Sequence, residues 1–211
     1  MKKSTVKKMT LLLLFSFCWM ILLNGCGSGE KNSPRNQSAS EEDGKEADNS
    51  GEKAASETEE TLGEFSVKDI EGNTYTQEMF ADYDLTMVNV FTTWCSPCVS
   101  EIPDLEKLHN EMEEQGVNVV GIVLDAVDAF GKADEEVVET AKLLAEKTGA
   151  AYPFLIPDEG YLNGRLLGIN AVPETFFVDK EGNITGETYS GSRSLEDWKT
   201  IVETELKGAV K

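Results

Sequence analysis

Two cysteines stand three positions apart in the run Trp94-Cys95-Ser96-Pro97-Cys98. Cysteines at this spacing can form a disulfide and reopen it while the backbone stays in place. This suits a redox catalyst better than a structural cross-link, because so short a loop stabilises little. A short apolar run precedes the pair and a charged amphipathic segment follows it, so the pair lies at a predicted strand-to-helix junction. The alternative is a surface pair that closes a trivial loop.

The two cysteines are predicted to have different roles. Cys95 should lie exposed at the N-terminus of the helix, where unpaired N–H groups favour the thiolate, and it is therefore the predicted nucleophile. Cys98, one turn inside the helix, should be shielded and act as the resolving thiol. Pro97 stiffens the first turn between them. Trp94 either shields the site and packs on a partner or is a half-buried ring at the domain edge.

The N-terminal residues have the layout of a secretory signal. Four lysines precede an apolar run of 13 residues, 11–23, which is short for a membrane-spanning helix of about 20 residues. The sequence Leu23-Asn24-Gly25-Cys26 resembles a bacterial lipobox, which implies cleavage before Cys26 and lipidation of its sulfur. An uncleaved anchor and ordinary signal cleavage are the alternatives. All three place the redox pair outside the cytoplasm.

Composition divides the chain into a signal peptide at 1–25, a lipidated cysteine with an acidic tether at 26–61, and a catalytic domain at 62–211. Residues 27–61 are mainly Gly, Ser, Asn, Glu, Asp and Lys. They cannot bury enough apolar surface to offset the cost of ordering, so we expect disorder. The segment either holds the domain off a membrane or is a passive spacer.

The domain at 62–211 is strongly acidic. It has 29 Asp and Glu residues against 11 Lys and Arg residues, a formal net charge of −18. Nucleic acid and anionic membrane surfaces are therefore poor partners. The charge either steers basic protein partners or only keeps an exported protein soluble.

Hydrophobic periodicity predicts alternating strands and helices around the cysteine motif. Residues 85–91 form a predicted buried strand before it, and residues 96–115 form the helix that starts within it. The other predicted strands are 64–67, 74–76, 117–124, 152–156, 175–178 and 183–189, and the other predicted helices are 134–148, 160–167 and 195–206. This order predicts an α/β fold with a central mixed sheet covered on both faces and an N-terminal hairpin.

Residues 63–207 resemble the TlpA/ResA-like group of the thioredoxin superfamily, which are membrane-anchored thiol–disulfide oxidoreductases found outside bacterial cytoplasmic membranes. The resemblance implies a thioredoxin fold, and the N-terminal hairpin and an extra helix at 134–148 fit this group better than plain thioredoxin. The motifs that carry it are Trp94 to Cys98 followed by Glu101 and Pro103, the run 172–179, and Glu181-Gly182-Asn183.

The resemblance also implies a cis Val172–Pro173 bond that faces the cysteines. A cis proline would expose the backbone of Val172 for pairing with an extended partner chain. Without the resemblance, a trans proline at the start of an edge strand is the alternative. Glu174 either contacts the partner or is a solvated loop residue.

Glu101 corresponds to an acidic residue close to the active cysteines of this group. A carboxylate there would oppose thiolate formation, yet it could take up a proton during exchange. The alternative is a solvated helix glutamate. Asn89 stands where plain thioredoxins carry a buried acid, and because an amide cannot relay a proton, that role is lost or passes to Glu101.

We expect neither a cofactor nor a metal. Copper-chaperone relatives of the fold use two cysteines with a wider gap and a distant histidine. Here the gap is two residues, and the single histidine, His109, lies nearby on the same helix, where it is expected at the surface.

The predicted function is extracytoplasmic thiol–disulfide exchange, most simply the reduction of protein disulfides such as that of apocytochrome c. The expected protein is a lipid-anchored monomer on the outer side of the cell membrane, supplied with electrons by a membrane thiol–disulfide transporter. One alternative is a peroxiredoxin, although no proline precedes Thr92, three positions before Cys95, as the peroxidatic motif requires. The other alternative is a binding lipoprotein without catalysis.

Overall fold

A computed structural model describes residues 60–210 of the protein. Apart from a helix predicted at residues 160–167, the elements follow the predicted order, and their boundaries differ from the predicted ones by at most three residues. The strands are β1 (Ser66–Asp69), β2 (Thr74–Thr76), β3 (Leu85–Phe91), β4 (Val117–Val123), β5 (Phe154–Ile156), β6 (Glu174–Asp179) and β7 (Ile184–Ser190), and the α-helices are α1 (Ser96–Met112), α2 (Glu135–Thr148) and α3 (Leu195–Ala209).

The strands form one mixed sheet in the order β2-β1-β5-β4-β3-β6-β7. The three central strands β3, β4 and β5 are parallel, whereas the β1–β2 hairpin and the β6–β7 hairpin pair antiparallel on either side. The carboxyl ends of the parallel strands therefore meet at one edge, which we call the redox edge because β3 leads there to Cys95. Since β6 runs antiparallel to β3, its first residues also lie at this edge.

Both faces of the sheet are covered, as predicted. Alternation along β3 places Met87 and Phe91 among the side chains of the three helices, in one core cluster. Val88 and Val90 point to the opposite face, into a second cluster. That second face is covered by the segment before β1, a short 3-10 helix after β2 and the turn after β5.

Each α-helix begins at a side chain that accepts a backbone hydrogen bond. The Sγ of Cys95 serves α1, the carboxylate of Asp134 serves α2, and the hydroxyl of Ser194 serves α3. These caps satisfy N–H groups that have no partner within the helix. The cap of α1 is therefore a redox cysteine.

The helix predicted at residues 160–167 is wrong. The backbone there makes a left-handed turn, with positive φ at Tyr161, Leu162 and Asn163 and at the following Gly164. Leu162 and Leu166 are buried in the second cluster. The apolar residues that suggested a helix are explained by this burial, which the turn achieves without a right-handed helix.

The two outer hairpins close with the same five-residue motif, Asp-x-Glu-Gly-Asn, at residues 69–73 and 179–183. In each turn the carboxylate of the Asp accepts hydrogen bonds from the backbone N–H groups two and four residues later and from the Asn side chain. The Gly has a positive φ in both, which suits tight hairpin connections. Both turns lie at the end of the sheet away from the redox edge.

The predictions for the signal peptide, for Cys26 and for most of the tether concern residues outside the described part of the chain. Within residues 60–210, no helix is long and apolar enough to span a membrane. The boundaries of the three predicted segments stay predictions.

Candidate active site

The two cysteines form a disulfide at the start of α1. The Cα atoms of Cys95 and Cys98 lie 5.3 Å apart, and the backbone N–H of Cys98 donates to the Sγ of Cys95 at 3.3 Å. A sulfur that accepts this bond at a helix N-terminus lies where the macrodipole and the amide favour negative charge. Cys95 is therefore positioned to carry the thiolate after reduction.

The exposure predicted for Cys95 is wrong. The residue is 6% exposed, and Cys98 is fully buried. The reason is the loop before β6, where the carbonyl oxygen of Val172 lies 3.7 Å from the Sγ of Cys95. In the disulfide form, this loop leaves only a small part of Cys95 open to solvent.

The Val172–Pro173 peptide bond is cis, as predicted. Pro173 is buried and Val172 is half-buried. The carbonyl oxygen of Pro173 accepts a hydrogen bond from the backbone N–H of Gly191 at 2.9 Å, which ties the loop to the end of β7. The loop thus lies against Cys95 and is fixed from behind.

Glu101 is buried beneath the disulfide on α1, one turn after Cys98, and is not the solvated helix residue of the alternative reading. It is 3% exposed. Its Oε1 accepts a bond from the Nδ2 of Asn89 at 3.0 Å, and its Oε2 accepts bonds from the backbone N–H of Arg193 at 3.0 Å and from the Nε1 of Trp198 at 3.3 Å.

Burial raises the pKa of Glu101 above its ordinary value of 4.5. The hydrogen bonds from Arg193, Asn89 and Trp198 and the charge of Arg193 lower it in part. Desolvation prevails because most of the donors are neutral and cannot replace the water that the carboxylate loses. The environment therefore makes the carboxyl more inclined to hold a proton than an exposed glutamate.

Asn89 links this carboxylate to the strand that follows the cis-proline. Its Nδ2 donates to Glu101 and also to the Oγ1 of Thr175 on β6, both at 3.0 Å. The amide therefore acts as a donor that orients Glu101. Neither Arg193 nor Trp198 was identified from the sequence, although their positions at the start of a predicted helix were an available signal.

Glu174 is held in an ion pair within the domain, which contradicts the reading as a solvated loop residue. It is the first residue of β6, and its Oε1 accepts a hydrogen bond from the Nη1 of Arg165 at 3.0 Å. Both side chains are largely buried, and the guanidinium of Arg165 lies 4.1 Å from the centre of the Phe176 ring. Glu174 is therefore engaged within the domain and is not a solvated loop residue, and its contact with a partner stays a prediction.

Trp94 is 74% exposed, so the reading as a half-buried ring is wrong. Pro97, between the two cysteines, is also exposed. These two side chains present an apolar surface beside the largely buried disulfide.

Asp125 is a site residue that the sequence reasoning missed. It follows β4, and its carboxylate accepts two bonds from Thr93, one from the backbone N–H at 3.0 Å and one from the hydroxyl at 2.7 Å. Thr93 lies two residues before Cys95, so Asp125 holds the connection between β3 and the motif. The available signal was an acid directly after a strand predicted to be central.

His109 is half-buried, not at the surface as predicted. Its Nδ1 is buried without a hydrogen-bond partner among the described residues, and its ring packs edge-on against Tyr152 with 6.4 Å between centroids. In the described part of the chain, no three His, Cys, Asp or Glu residues cluster in a way that could hold a metal ion.

Comparison with known proteins gives a consistent set of likenesses. The model of the AhpC/TSA family matches residues 59–186. The chain is 34% identical over 128 residues to the thiol:disulfide interchange protein DsbE of Haemophilus influenzae, covering 61% of this chain and 62% of that protein. It is 28% identical over 156 residues to the thiol-disulfide oxidoreductase ResA of Geobacillus thermodenitrificans, covering 72% of this chain and 80% of the relative.

A solved structure has the same fold. It is a thiol:disulfide interchange protein of the thioredoxin family from Chlorobium tepidum, with a TM-score of 0.57 and 28% identity over 70% of this chain and 96% of that chain. The predicted thioredoxin fold is thereby confirmed, and the resemblance to the ResA-like group is borne out by the relatives. The chain spans less than two thirds of the length of the DsbE relative.

Proposed function

The chain belongs to the AhpC/TSA family, and from this premise we propose that it is a thiol–disulfide oxidoreductase that works through Cys95 and Cys98. One observation carries the proposal. A disulfide at the N-terminus of a helix lies against the cis Val172–Pro173 loop, with a buried carboxyl beneath it. Relatives that bear the names thiol:disulfide interchange protein and thiol-disulfide oxidoreductase support it.

The proposed reaction is two successive exchanges. In the reduced protein, the Cys95 thiolate attacks one sulfur of a partner disulfide, a mixed disulfide forms, and the other partner sulfur leaves and takes up a proton. The Cys98 thiol then loses its proton and attacks the Sγ of Cys95. The partner leaves as a dithiol and the Cys95–Cys98 disulfide forms, so the partner is reduced and the protein oxidised by two electrons.

We assign the proton of Cys98 to Glu101. Cys98 is fully buried, so its proton cannot pass directly to bulk water. Glu101 lies one turn further along the same helix, and burial raises its pKa, which makes it a better acceptor at neutral pH than an ordinary glutamate. After the exchange, the same carboxyl returns the proton when the pair is reduced again.

We propose that the substrates are protein disulfides, with apocytochrome c as one candidate, and that a membrane dithiol donor regenerates the reduced form. The names of the relatives, a thiol:disulfide interchange protein and a thiol-disulfide oxidoreductase, support thiol–disulfide exchange as the reaction. We further propose that the protein is a monomer, anchored through lipid on Cys26 at the extracytoplasmic face of the cell membrane. The lipobox-like sequence before Cys26 supports this location.

Trapping tests the proposal. Cys98→Ser leaves the Cys95 thiolate but removes the resolving thiol, so we expect mixed disulfides with partner proteins that accumulate and are released by dithiothreitol. Cys95→Ser, the matched control, should trap nothing. The proposed function would be refuted if neither variant formed mixed disulfides with partner proteins and the unmodified protein did not reduce insulin. Rapid consumption of hydrogen peroxide by the reduced protein would favour the peroxidase alternative.

A further inference from the structure

The loop after β4 presents a large aromatic side chain to solvent. Phe130 is 87% exposed, the highest exposure among the large apolar side chains described in residues 60–210. Exposed aromatic rings of this kind commonly act as anchors in protein recognition because they bury much area at low entropic cost.

The loop that carries Phe130 is closely held. The Oδ1 of Asp128 accepts bonds from the backbone N–H of Phe130 at 2.8 Å and of Lys132 at 3.0 Å. Val127 and Ala133 form a β-bridge at its base. The ring is therefore displayed by an ordered turn, which reduces the entropy lost when a partner covers it.

Contacts with the turn after β5 locate the loop. The hydroxyl of Tyr161 donates to the carbonyl oxygen of Asp128 at 2.8 Å. A side chain at Gly131 would come within 2.6 Å of the Cα of Glu159, so the two segments touch. Both follow parallel strands of the same sheet, which places Phe130 at the redox edge with Cys95.

The surroundings of the ring are acidic. Glu135, Glu136 and Glu159 are exposed, and none of them forms an ion pair with a described residue. Lys132 is the one cation on the loop itself. An apolar ring bordered by free carboxylates complements an apolar side chain flanked by Lys or Arg.

We propose that Phe130 and the loop at residues 127–133 form a docking surface for a basic, extended segment of the disulfide-bearing partner. This inference rests on the proposed function and names the partner chemistry that the same site selects. The segment reaches Cys95 with its own cysteine and places an apolar side chain against the Phe130 ring.

Sheet geometry sets the spacing that the partner needs. The Phe130 loop follows β4, the neighbour of β3, and it contacts the turn after β5, which lies two positions from β3. At about 4.8 Å per strand, the loop is therefore displaced from Cys95 by about 5 to 10 Å along the sheet. An extended chain advances about 3.3 Å per residue. The apolar residue should therefore lie about two to three positions from the partner cysteine.

Synthetic peptides provide the probe. Each carries one cysteine as a mixed disulfide with thionitrobenzoate, one leucine at a varied distance from the cysteine, and flanking residues that are either lysine or glutamate. The reduced protein attacks the mixed disulfide and releases coloured thionitrobenzoate. The free cysteine–thionitrobenzoate disulfide, which is too small to reach Phe130, is the reference substrate.

For Phe130→Ala we expect kcat/KM to fall about tenfold on the lysine peptide with optimal spacing, the loss of one anchor residue, with no change on the small reference disulfide. The matched control Leu143→Ala removes another exposed apolar side chain, 52% exposed on α2, and should leave both rates unchanged.

Three outcomes would overturn the docking surface. They are an unchanged rate of Phe130→Ala on the peptides, an equal fall on the peptides and the small disulfide, and no preference of the unmodified protein for lysine over glutamate flanks. Failure of the unmodified protein to reduce the small disulfide would instead refute the proposed function, so the two failures are distinguishable.

Discussion

Two carboxylates lie below the redox edge on opposite faces of the sheet. Glu101 lies on the helix face, where it meets Asn89 of β3. Glu174 pairs with Val90 in the sheet and lies on the other face, with Phe176. Glu101 has mostly neutral donors around it, whereas Glu174 has the guanidinium of Arg165.

The difference separates Glu101, the acid that we propose exchanges a proton, from Glu174, an acid within a structural ion pair. A buried carboxyl with mostly neutral donors has a raised pKa and can change protonation state near the reacting thiols. The carboxylate of Glu174, paired with Arg165, fixes the cis-proline loop to the turn before it. The distance of a carboxylate from the cysteines therefore does not indicate its role. The chemical identity of its hydrogen-bond donors does.

Removal of the charge of Glu174 should have the largest effect, and this effect should be on stability. Glu174→Gln leaves the largely buried Arg165 without its partner, and we expect the free energy of unfolding to fall by about 3 kcal/mol. Urea unfolding of the disulfide form measures it. The double variant Arg165→Leu with Glu174→Leu should recover most of the loss. A loss of less than about 1 kcal/mol in the free energy of unfolding, as for an exposed ion pair, would contradict the structural role of Glu174.

Glu101→Gln, on the helix face of the sheet, should instead lower the rate of disulfide exchange. The Gln side chain can be accommodated because the Asn89 amide can flip and accept from it. We expect resolution of the mixed disulfide to slow by about 10²-fold, the lower end of what a positioned acid–base group contributes. Stopped-flow measurement of the second exchange step tests this. Glu174→Gln is the control, and an equal slowing there would show that both carboxylates act through structure.

The raised pKa of Glu101 also predicts a pH dependence of stability. A folded-state pKa above the unfolded value means that the contribution of this group is fully present below about pH 4.5 and is lost as pH rises through the folded pKa. Glu101→Gln should therefore gain stability relative to the unmodified protein as pH increases, up to a plateau. Unfolding in urea across this range measures the difference, with the exposed Glu114→Gln as a control that should show no such gain.

Asp125 should give the smallest effect. Asp125→Ala leaves the half-buried N–H of Thr93 without its acceptor, and we expect a loss of about 1 kcal/mol in the free energy of unfolding. Asp125→Asn keeps an acceptor and a donor and should retain most of the stability. An equal loss in both variants would mean that charge, and not hydrogen bonding, holds the connection before Cys95.

Much of the fold and of the candidate site could be predicted from the sequence. The buried strand 85–91 was predicted without error because a short, mostly apolar run bounded by polar residues has one simple solution, a central strand. The cysteine motif, the cis Val172–Pro173 bond and the place of Glu101 close to the cysteines followed from motif and resemblance. Those predictions depend on local patterns that tertiary contacts do not override.

The errors occur where distant segments meet. The burial of Cys95 depends on Val172, and the engagement of Glu174 depends on Arg165 in a left-handed turn. That turn was predicted as a helix because spacing alone cannot show positive φ at non-glycine residues. Asp125 was missed because its partner, Thr93, lies 32 residues away along the chain.

The Asp-capped turns at 69–73 and 179–183 close the sheet at the end away from the cysteines, each with hydrogen bonds from within its own five residues. The loops at the redox edge are held by contacts between distant segments, such as Tyr161 with Asp128. Strand register in the outer hairpins is therefore specified locally at one end of the sheet. Order at the opposite end depends on contacts between segments that are distant in sequence, so opening of one loop there would also release the loop that it contacts.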